Sequence, residues 1–204
     1  MGGERILVLG IGNLLWADEG FGVRVVEALH AGYALPEHVV PLDGGTQGLY
    51  LLPHLEDAAA VVIVDAIDYG LAPGTLRVLC DDEIPSVLGA RKVSLHQTGF
   101  QEILALLELR DRAPRRLRLV GVQPERLDDY GGGLTATVAA QVRPAVDTVL
   151  GILADEFGVV ATRRADAAGF VAPAIARDAY ESGRPGPDEA CRIGDARVLA
   201  QWRG

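Results

Sequence analysis

Apolar and polar positions follow two different patterns along the chain. Short continuous apolar runs, typical of buried strands, are separated by stretches in which apolar residues recur every three or four positions, as on one side of a helix. The runs predict strands at Glu4–Leu9, Val39–Leu42, Ala60–Ile67, Thr75–Leu79 and Leu117–Val122. The periodic stretches predict helices at Phe21–Ala31, Thr46–Leu55, Thr98–Leu109 and Leu134–Phe157. We expect a kink in the last helix at Pro144, which lacks a backbone donor.

This alternation of strands and helices predicts an α/β fold. Strand–helix–strand units form mostly parallel sheets with helices on both faces, which here means three layers around a twisted five-stranded sheet. Ala60–Ile67 is the most apolar run, so we expect it in the middle of the sheet. We place this domain at residues 1–160. Residues 161–204 are rich in Arg, Asp, Gly and Pro, and we expect a C-terminal extension that is partly irregular or disordered.

Composition and charge narrow the class of protein. The chain has 204 residues and a formal net charge of −9, which argues against nucleic acid as a partner because phosphate contacts need clustered Lys and Arg. The basic run Arg112–Arg118 is short and typical of a solvated turn. There is no apolar stretch of membrane-spanning length and no signal-peptide pattern, so we expect a cytoplasmic protein without membrane contact. No sequence pattern indicates the oligomeric state, for which we expect a monomer. Cys80 and Cys191 lie far apart and have no metal-ligand spacing.

Three polar residues each follow a short apolar run. Glu19 lies in GIGNLLWADEGFG, Asp65 in VVIVDAID and His96 in SLHQTGF. Ligands of open α/β sheets sit beyond the carboxyl ends of the strands, so these side chains could meet at one edge of the sheet. Two carboxylates and an imidazole suit a first-row divalent metal ion. A site with three protein ligands leaves a position open for water or for a substrate group.

Each of these residues also has a structural alternative. Glu19 and its neighbour Asp18 could cap the helix that follows, because carboxylates are favoured at helix N-termini. Asp65 could bond its own turn, although Asp68 in IDYGLAPG is the better turn residue. His96, taken alone, could be a structural histidine.

Glycine-dense turns follow the first two predicted strands. GIGN resembles the start of a dinucleotide-binding fingerprint, but Leu15 stands where the third glycine is needed, and the acidic pair that follows opposes a pyrophosphate. DGGT is either a plain strand-to-helix turn closed by Asp43 or a backbone platform for an extended peptide. In the second case Asp43 would act as a base or would support the metal ligands.

Taken together in chain order, the segments around these residues resemble those of the hydrogenase maturation proteases, which process the large subunit of nickel–iron hydrogenases. The resemblance runs from about Glu4 to Phe157 and rests on ILVLGIGNLLWADEGFG, LDGGTQG, VVIVDAIDYGLAPGT, SLHQTGF, LVGVQPE and GGGLTATVAAQV. It implies a twisted sheet flanked by helices. It also implies that Glu19, Asp65 and His96 contact nickel, and it points to Asp43 as an acidic residue with a catalytic role. The tail from about Arg163 lies outside it.

The resemblance further implies a substrate and a reaction. The substrate is a precursor of the hydrogenase large subunit that already carries nickel, and a short C-terminal extension is clipped off it after a basic residue. The nickel is thus supplied by the substrate, and another divalent cation could replace it in the isolated protein. The chain has no HExxH or GxSxG motif, so ordinary metalloprotease and serine mechanisms have no support. A non-catalytic nickel-sensing or metallochaperone module is the alternative, and a nucleotide-binding α/β protein is a second.

Overall fold

The computed structural model describes residues 4–81, 83–84, 95–165 and 182, and gives only the backbone for 95–99. The main sheet contains β1 (Ile6–Ile11), β3 (Val39–Gly45), β4 (Ala60–Ala66), β5 (Leu76–Cys80) and β6 (Arg116–Val122). The helices are α1 (Phe21–Gly32), α2 (Leu52–Glu56), α3 (Leu95–Leu109), α4 (Ala136–Ala139) and α5 (Val142–Phe157). Two short 3-10 helices cover Ala17–Gly20 and Gly48–Leu51, and the strands β2 (Tyr33–Ala34) and β7 (Thr162–Arg163) form a separate ribbon.

The strand order of the main sheet is β3-β1-β4-β6-β5. All neighbouring strands are parallel except β5, which runs antiparallel to β6 at the edge. β4 is central and every one of its residues is buried, as its apolar run predicts. The predicted α/β class, with a mostly parallel five-stranded sheet, is confirmed.

Helices cover both faces of the sheet and create two separate apolar cores. One core joins β1 and β4 to α1 and α5, with Phe21, Val25 and Val149 among its members. The other joins the same strands to α2 and α3, with Leu55 and Ile103 among its members. Alternate residues of a strand point to opposite faces, so each strand feeds both cores. This is the predicted three-layer arrangement.

The predicted helix boundaries hold for some elements and fail for others. In α3 the expected apolar face, formed by Phe100, Ile103, Leu104 and Leu107, is buried. The helix begins at Leu95, so His96 lies within its first turn instead of before it. The second predicted helix is a 3-10 segment that continues into α2.

The single kinked helix expected over Leu134–Phe157 is wrong. The chain instead forms the short α4 and, after a break near Gln141, the long α5. Pro144 lies in the first turn of α5, where no backbone donor is needed for an intrahelical hydrogen bond, and therefore it does not kink the helix. α4 is capped by Thr135, whose side chain accepts a hydrogen bond from Val138 N.

The ribbon of β2 and β7 ties the segment after α5 to the end of α1. Arg164 donates from its backbone N to the carbonyl of Gly32, and from Nε to the carbonyl of Tyr33, each at 2.9 Å. The first residues of the predicted extension are therefore held on the domain. The rest of that prediction falls outside the described residues, apart from Ala165 and Ser182. Within the described ranges no helix combines the length and apolar character needed to span a bilayer.

Candidate active site

Asp65 lies at the carboxyl end of the central strand, as the next-to-last residue of β4. Its side chain is 1% exposed, and its Oδ1 accepts a hydrogen bond from Ala66 N at 2.7 Å. The neighbours in β4 that face the α2–α3 side are Val61 and Ile63, so strand alternation places Asp65 on that side as well. A buried carboxylate destabilises the folded protein unless hydrogen-bond donors or a cation compensate its charge.

Glu19 lies in the 3-10 helix that joins β1 to α1, and this helix packs against β4. The segment from the end of β1 to the start of α1 packs so closely that only glycine fits at two of its positions. A Cβ on Gly12 would overlap the carbonyl oxygen of Glu19, and one on Gly22 would overlap that of Val64. The half-buried Glu19 is thus held beside the strand end that carries Asp65. A Cβ on Gly10 would likewise overlap the carbonyl oxygen of Gly22, so close backbone packing explains both glycines of GIGN without any nucleotide.

Asp18 does not cap a helix. No side chain caps the 3-10 helix or α1 at its N-terminus. The carboxylate of Asp18 is fully buried and accepts four hydrogen bonds, from Glu125 N at 2.9 Å, Arg126 N at 2.8 Å, Thr135 N at 2.7 Å and Thr135 Oγ1 at 3.1 Å. The capping alternative for this residue is wrong, because the loop between β6 and α4 supplies its donors instead.

Asp43 lies near the end of β3, and its Oδ1 accepts a hydrogen bond from Gly45 N at 2.9 Å. The turn expected from DGGT is therefore present. The preceding Leu42 packs on the α2–α3 core, so Asp43 faces α1, where Arg24 and Glu27 lie. Burial raises the pKa of Asp43, the Gly45 N–H opposes that shift, Glu27 adds to it and Arg24 opposes it.

The candidate residues thus share one edge of the sheet but not one face. Asp43 lies on the α1 side, whereas Asp65 lies on the α2–α3 side. Among the side chains that the structure describes, no three His, Cys, Asp or Glu residues come close enough to hold a metal ion. The side chain of His96, the third predicted ligand, lies outside that set.

The start of α3 nevertheless reaches the same edge. Phe100 lines a small cavity together with Ile11, at the end of β1, and Gly45, at the end of β3. His96 precedes Phe100 by four residues. Its backbone therefore lies one helical turn from Phe100, the residue of α3 that reaches these strand ends.

Gln123 is a polar residue of this edge to which the sequence analysis assigned no role. It directly follows β6, is 6% exposed, and its Oε1 accepts hydrogen bonds from Tyr69 N at 2.8 Å and Leu71 N at 3.1 Å. Its Nε2 donates to Asp68 Oδ1 at 3.0 Å. Asp68 also accepts from Gly70 N, which confirms it as the turn residue. A polar residue directly after the apolar run LVGV is the signal that could have identified Gln123.

Comparison with known proteins identifies the family. The family model of the hydrogenase maturation protease HycI matches residues 23–152. The chain is 55% identical over 199 residues to the hydrogenase expression/formation protein HupD of Thiocapsa roseopersicina, covering 96% of this chain and 90% of that protein. It is 51% identical over 201 residues to the protein HoxM of Azotobacter vinelandii, covering 98% and 97%. The structure of the hydrogenase maturating endopeptidase HybD from E. coli aligns with a TM-score of 0.74 at 46% identity, covering 78% and 98%.

The share of this chain that is covered differs between the relatives. The HupD and HoxM matches span nearly the whole chain, so they include most of residues 161–204, which the sequence resemblance had left out. The HybD structure covers 98% of its own chain but 78% of this one. The family model matches more than half of the chain, and HupD is 55% identical to it over 96% of its length. The two comparisons indicate the same family. The chain therefore belongs to the hydrogenase maturation protease family and is a peptidase.

Proposed function

We propose that this protein is the endopeptidase that removes the C-terminal extension from the large-subunit precursor of a nickel–iron hydrogenase after nickel has been inserted. In this proposal Glu19, Asp65 and His96 contact the nickel that the precursor carries. The observation that carries the proposal is the buried carboxylate of Asp65 at the end of the central strand. A fully buried carboxylate at a strand end is a site that a cation would stabilise.

The surrounding elements support a metal contact at this carboxylate. The 3-10 helix that carries Glu19 packs against β4, the strand that carries Asp65. Phe100 belongs to the same apolar core as Ile63 and Ile67, which flank Asp65 along the chain. Residues four apart lie on the same side of a helix, so position 96 shares the side of α3 that Phe100 uses to pack on this face.

The chemistry of this residue set suits a precursor-bound nickel. Carboxylate and imidazole groups bind nickel more strongly than iron or manganese, following the stability order of first-row divalent ions. Recognition of the metal itself would explain why a precursor is processed only after loading, because the bridging contact is missing from the unloaded form. A bound divalent ion can polarise the scissile carbonyl or activate a water molecule.

Asp43 is proposed as the catalytic base, supported by its raised pKa, which brings a carboxyl group closer to the working range of a base. Its position on the opposite face of the sheet from Asp65 requires the substrate peptide to reach round the end of β1. Replacement of Asp43 by Asn keeps an acceptor for Gly45 N and removes the proton-accepting group. If Asp43 is the base, this variant binds the precursor but does not cleave it.

The proposal is tested with purified protein and two forms of the precursor, nickel-loaded and nickel-free. We expect mass spectrometry to show loss of a C-terminal peptide from the loaded form alone. Glu19→Gln, Asp65→Asn and His96→Ala should each abolish this cleavage. Two exposed residues give matched controls: Asp128→Asn for the carboxylates and His54→Ala for the imidazole.

The outcomes separate the proposal from its alternatives. Equal cleavage of both precursor forms would remove nickel from recognition. Tight binding of the loaded form without any cleavage would favour the nickel-sensing or metallochaperone alternative. The proposed monomeric state is checked separately, by the mass of the free protein in size-exclusion chromatography with light scattering.

A further inference from the structure

The hydroxyl group of Tyr69 is buried and has no hydrogen-bond partner within the part of the chain that the structure describes. A buried polar group without a partner destabilises the folded protein, so native structures contain few of them. Each such group therefore needs an explanation, and a role in catalysis is one. Tyr69 lies in the loop between β4 and β5, four residues after Asp65.

The position of this hydroxyl is defined by Gly121. A Cβ placed on Gly121 would overlap the Tyr69 hydroxyl, which therefore occupies the space of the missing side chain. Gly121 on β6 is the in-register partner of Asp65 on β4. Paired residues of parallel strands lie about 4.8 Å apart and project to the same face of the sheet. The hydroxyl thus lies beside the Asp65 carboxylate, on the same face.

The rest of Tyr69 is held firmly in this place. Its backbone N–H is bonded to Gln123 Oε1, which also fixes Leu71. Its ring packs against the core on the α2–α3 side, the side that Asp65 faces. The loop conformation therefore holds the phenol next to Asp65 and away from solvent.

We infer that Tyr69 is a positioning residue for Asp65, whose carboxylate it orients toward the precursor's nickel by donating a hydrogen bond when the complex forms. Carboxylates that contact metals are commonly held by a hydrogen bond from a neighbouring group. Such bonds are often long in the free protein and shorten in the complex. Ala66 N already donates a hydrogen bond to one oxygen of Asp65. A second hydrogen bond, from the phenol, would fix the rotation of the carboxylate group. This inference rests on the proposed nickel contact of Asp65.

The first test is the variant Tyr69→Phe, which removes the hydroxyl and keeps the ring. Because the hydroxyl has no partner among the described groups, we expect the midpoint of urea unfolding to stay the same or to rise. We expect cleavage of nickel-loaded precursor to fall about 10- to 100-fold, the usual cost of losing a hydrogen bond to a metal-contacting group. Tyr50→Phe, which alters a tyrosine that is 82% exposed, is the matched control and should cleave at the wild-type rate.

The second test uses binding, because activity alone would not show that Tyr69 acts through Asp65. The affinity for nickel-loaded precursor relative to nickel-free precursor is measured for Tyr69→Phe, Asp65→Asn and the double variant. We expect each single variant to lower this ratio and the double variant to match Asp65→Asn, since two residues that act through one contact are not additive.

Three results would overturn the inference: wild-type cleavage by Tyr69→Phe, a marked loss of its stability, or a further drop in the binding ratio in the double variant. A normal binding ratio in Asp65→Asn would instead reject the nickel contact of the proposed function. The failure of the inference and the failure of the function are thus distinguished.

Discussion

Asp18 and Thr135 are joined by two hydrogen bonds although they lie 117 positions apart in the sequence. The backbone N of Thr135 donates to one carboxylate oxygen of Asp18 and the Thr135 hydroxyl donates to the other. Asp18 therefore holds the loop between β6 and α4. Of the acidic pair in the ADEG segment, Glu19 is the residue that we propose for the nickel contact.

Replacement of Asp18 should destabilise the whole protein. Asp18→Ala leaves the N–H groups of Glu125, Arg126 and Thr135 without their buried acceptor. Because hydrogen bonds to charged groups are stronger than neutral ones, we expect a loss of about 3 kcal/mol or more in the free energy of unfolding. Asp18→Asn, which keeps the shape but not the charge, should lose less. Urea denaturation measures both, with the exposed Asp128→Asn in the same loop as control.

Two glycine substitutions should have opposite effects on stability. Gly22→Ala would push a methyl group into the carbonyl oxygens of Val64 and Ile11, which belong to strands and cannot move aside. We expect it to destabilise the protein by about 3 kcal/mol. Gly151→Ala, inside α5 with open space around it, should stabilise it by about 0.5–1 kcal/mol. Thermal unfolding of the two variants in parallel measures this difference, and equal effects would contradict the packing of α1 on the sheet.

The stability of Asp43→Asn relative to wild type should depend on pH. The folded protein raises the pKa of Asp43 above 3.8, so the folded state holds this proton more tightly than the unfolded state does. The contribution of Asp43 to the free energy of unfolding therefore falls as the pH rises from 3.8 through the folded pKa. We expect Asp43→Asn to be the more stable protein at pH 7, with an advantage that shrinks toward pH 3. Urea unfolding midpoints across this range give the test, and a variant less stable than wild type at pH 7 would refute it.

Gln123 should control the loop that carries Tyr69. Gln123→Ala removes the acceptor of two backbone N–H groups, those of Tyr69 and Leu71, and we expect it to lower the free energy of unfolding by about 2 kcal/mol. We also expect weaker cleavage, because Tyr69 loses its anchor. Glu125→Ala, an exposed change two residues later, serves as control for the stability measurement. Unchanged stability in Gln123→Ala would show that the loop is held by other contacts.

The fold was predictable because the spacing of apolar residues along the chain, and their number, determine where strands and helices form. The central place of β4 and the buried stripe of α3 follow directly from their sequences. The break between α4 and α5 was missed because the helical pattern continues across it, with no glycine or proline at Gln141. The β2–β7 ribbon is too short to leave a pattern.

The candidate site was predictable at the level of the sheet edge but not of the sheet face. Asp65 follows an apolar run, and its place at the strand end could be read from that run alone. The division of Asp43 and Asp65 between two faces depends on which neighbours are buried, and this becomes visible only when the cores are known. The link between Tyr69 and Asp65 depends on the pairing of β4 with β6, because Gly121 leaves the space that the hydroxyl fills.

The two hydrogen bonds of Arg164 fix the position of the chain beside the end of α1. α1 begins at the candidate site and runs back along the sheet for 12 residues, or about 18 Å, before Gly32 and Tyr33 accept the hydrogen bonds of Arg164. Arg164 and the adjoining Ala165 therefore lie on the side of the domain remote from Asp65. A fluorescent label attached at the exposed position 165, through Ala165→Cys, would stand clear of an approaching precursor, so labelled enzyme should remain suitable for binding measurements.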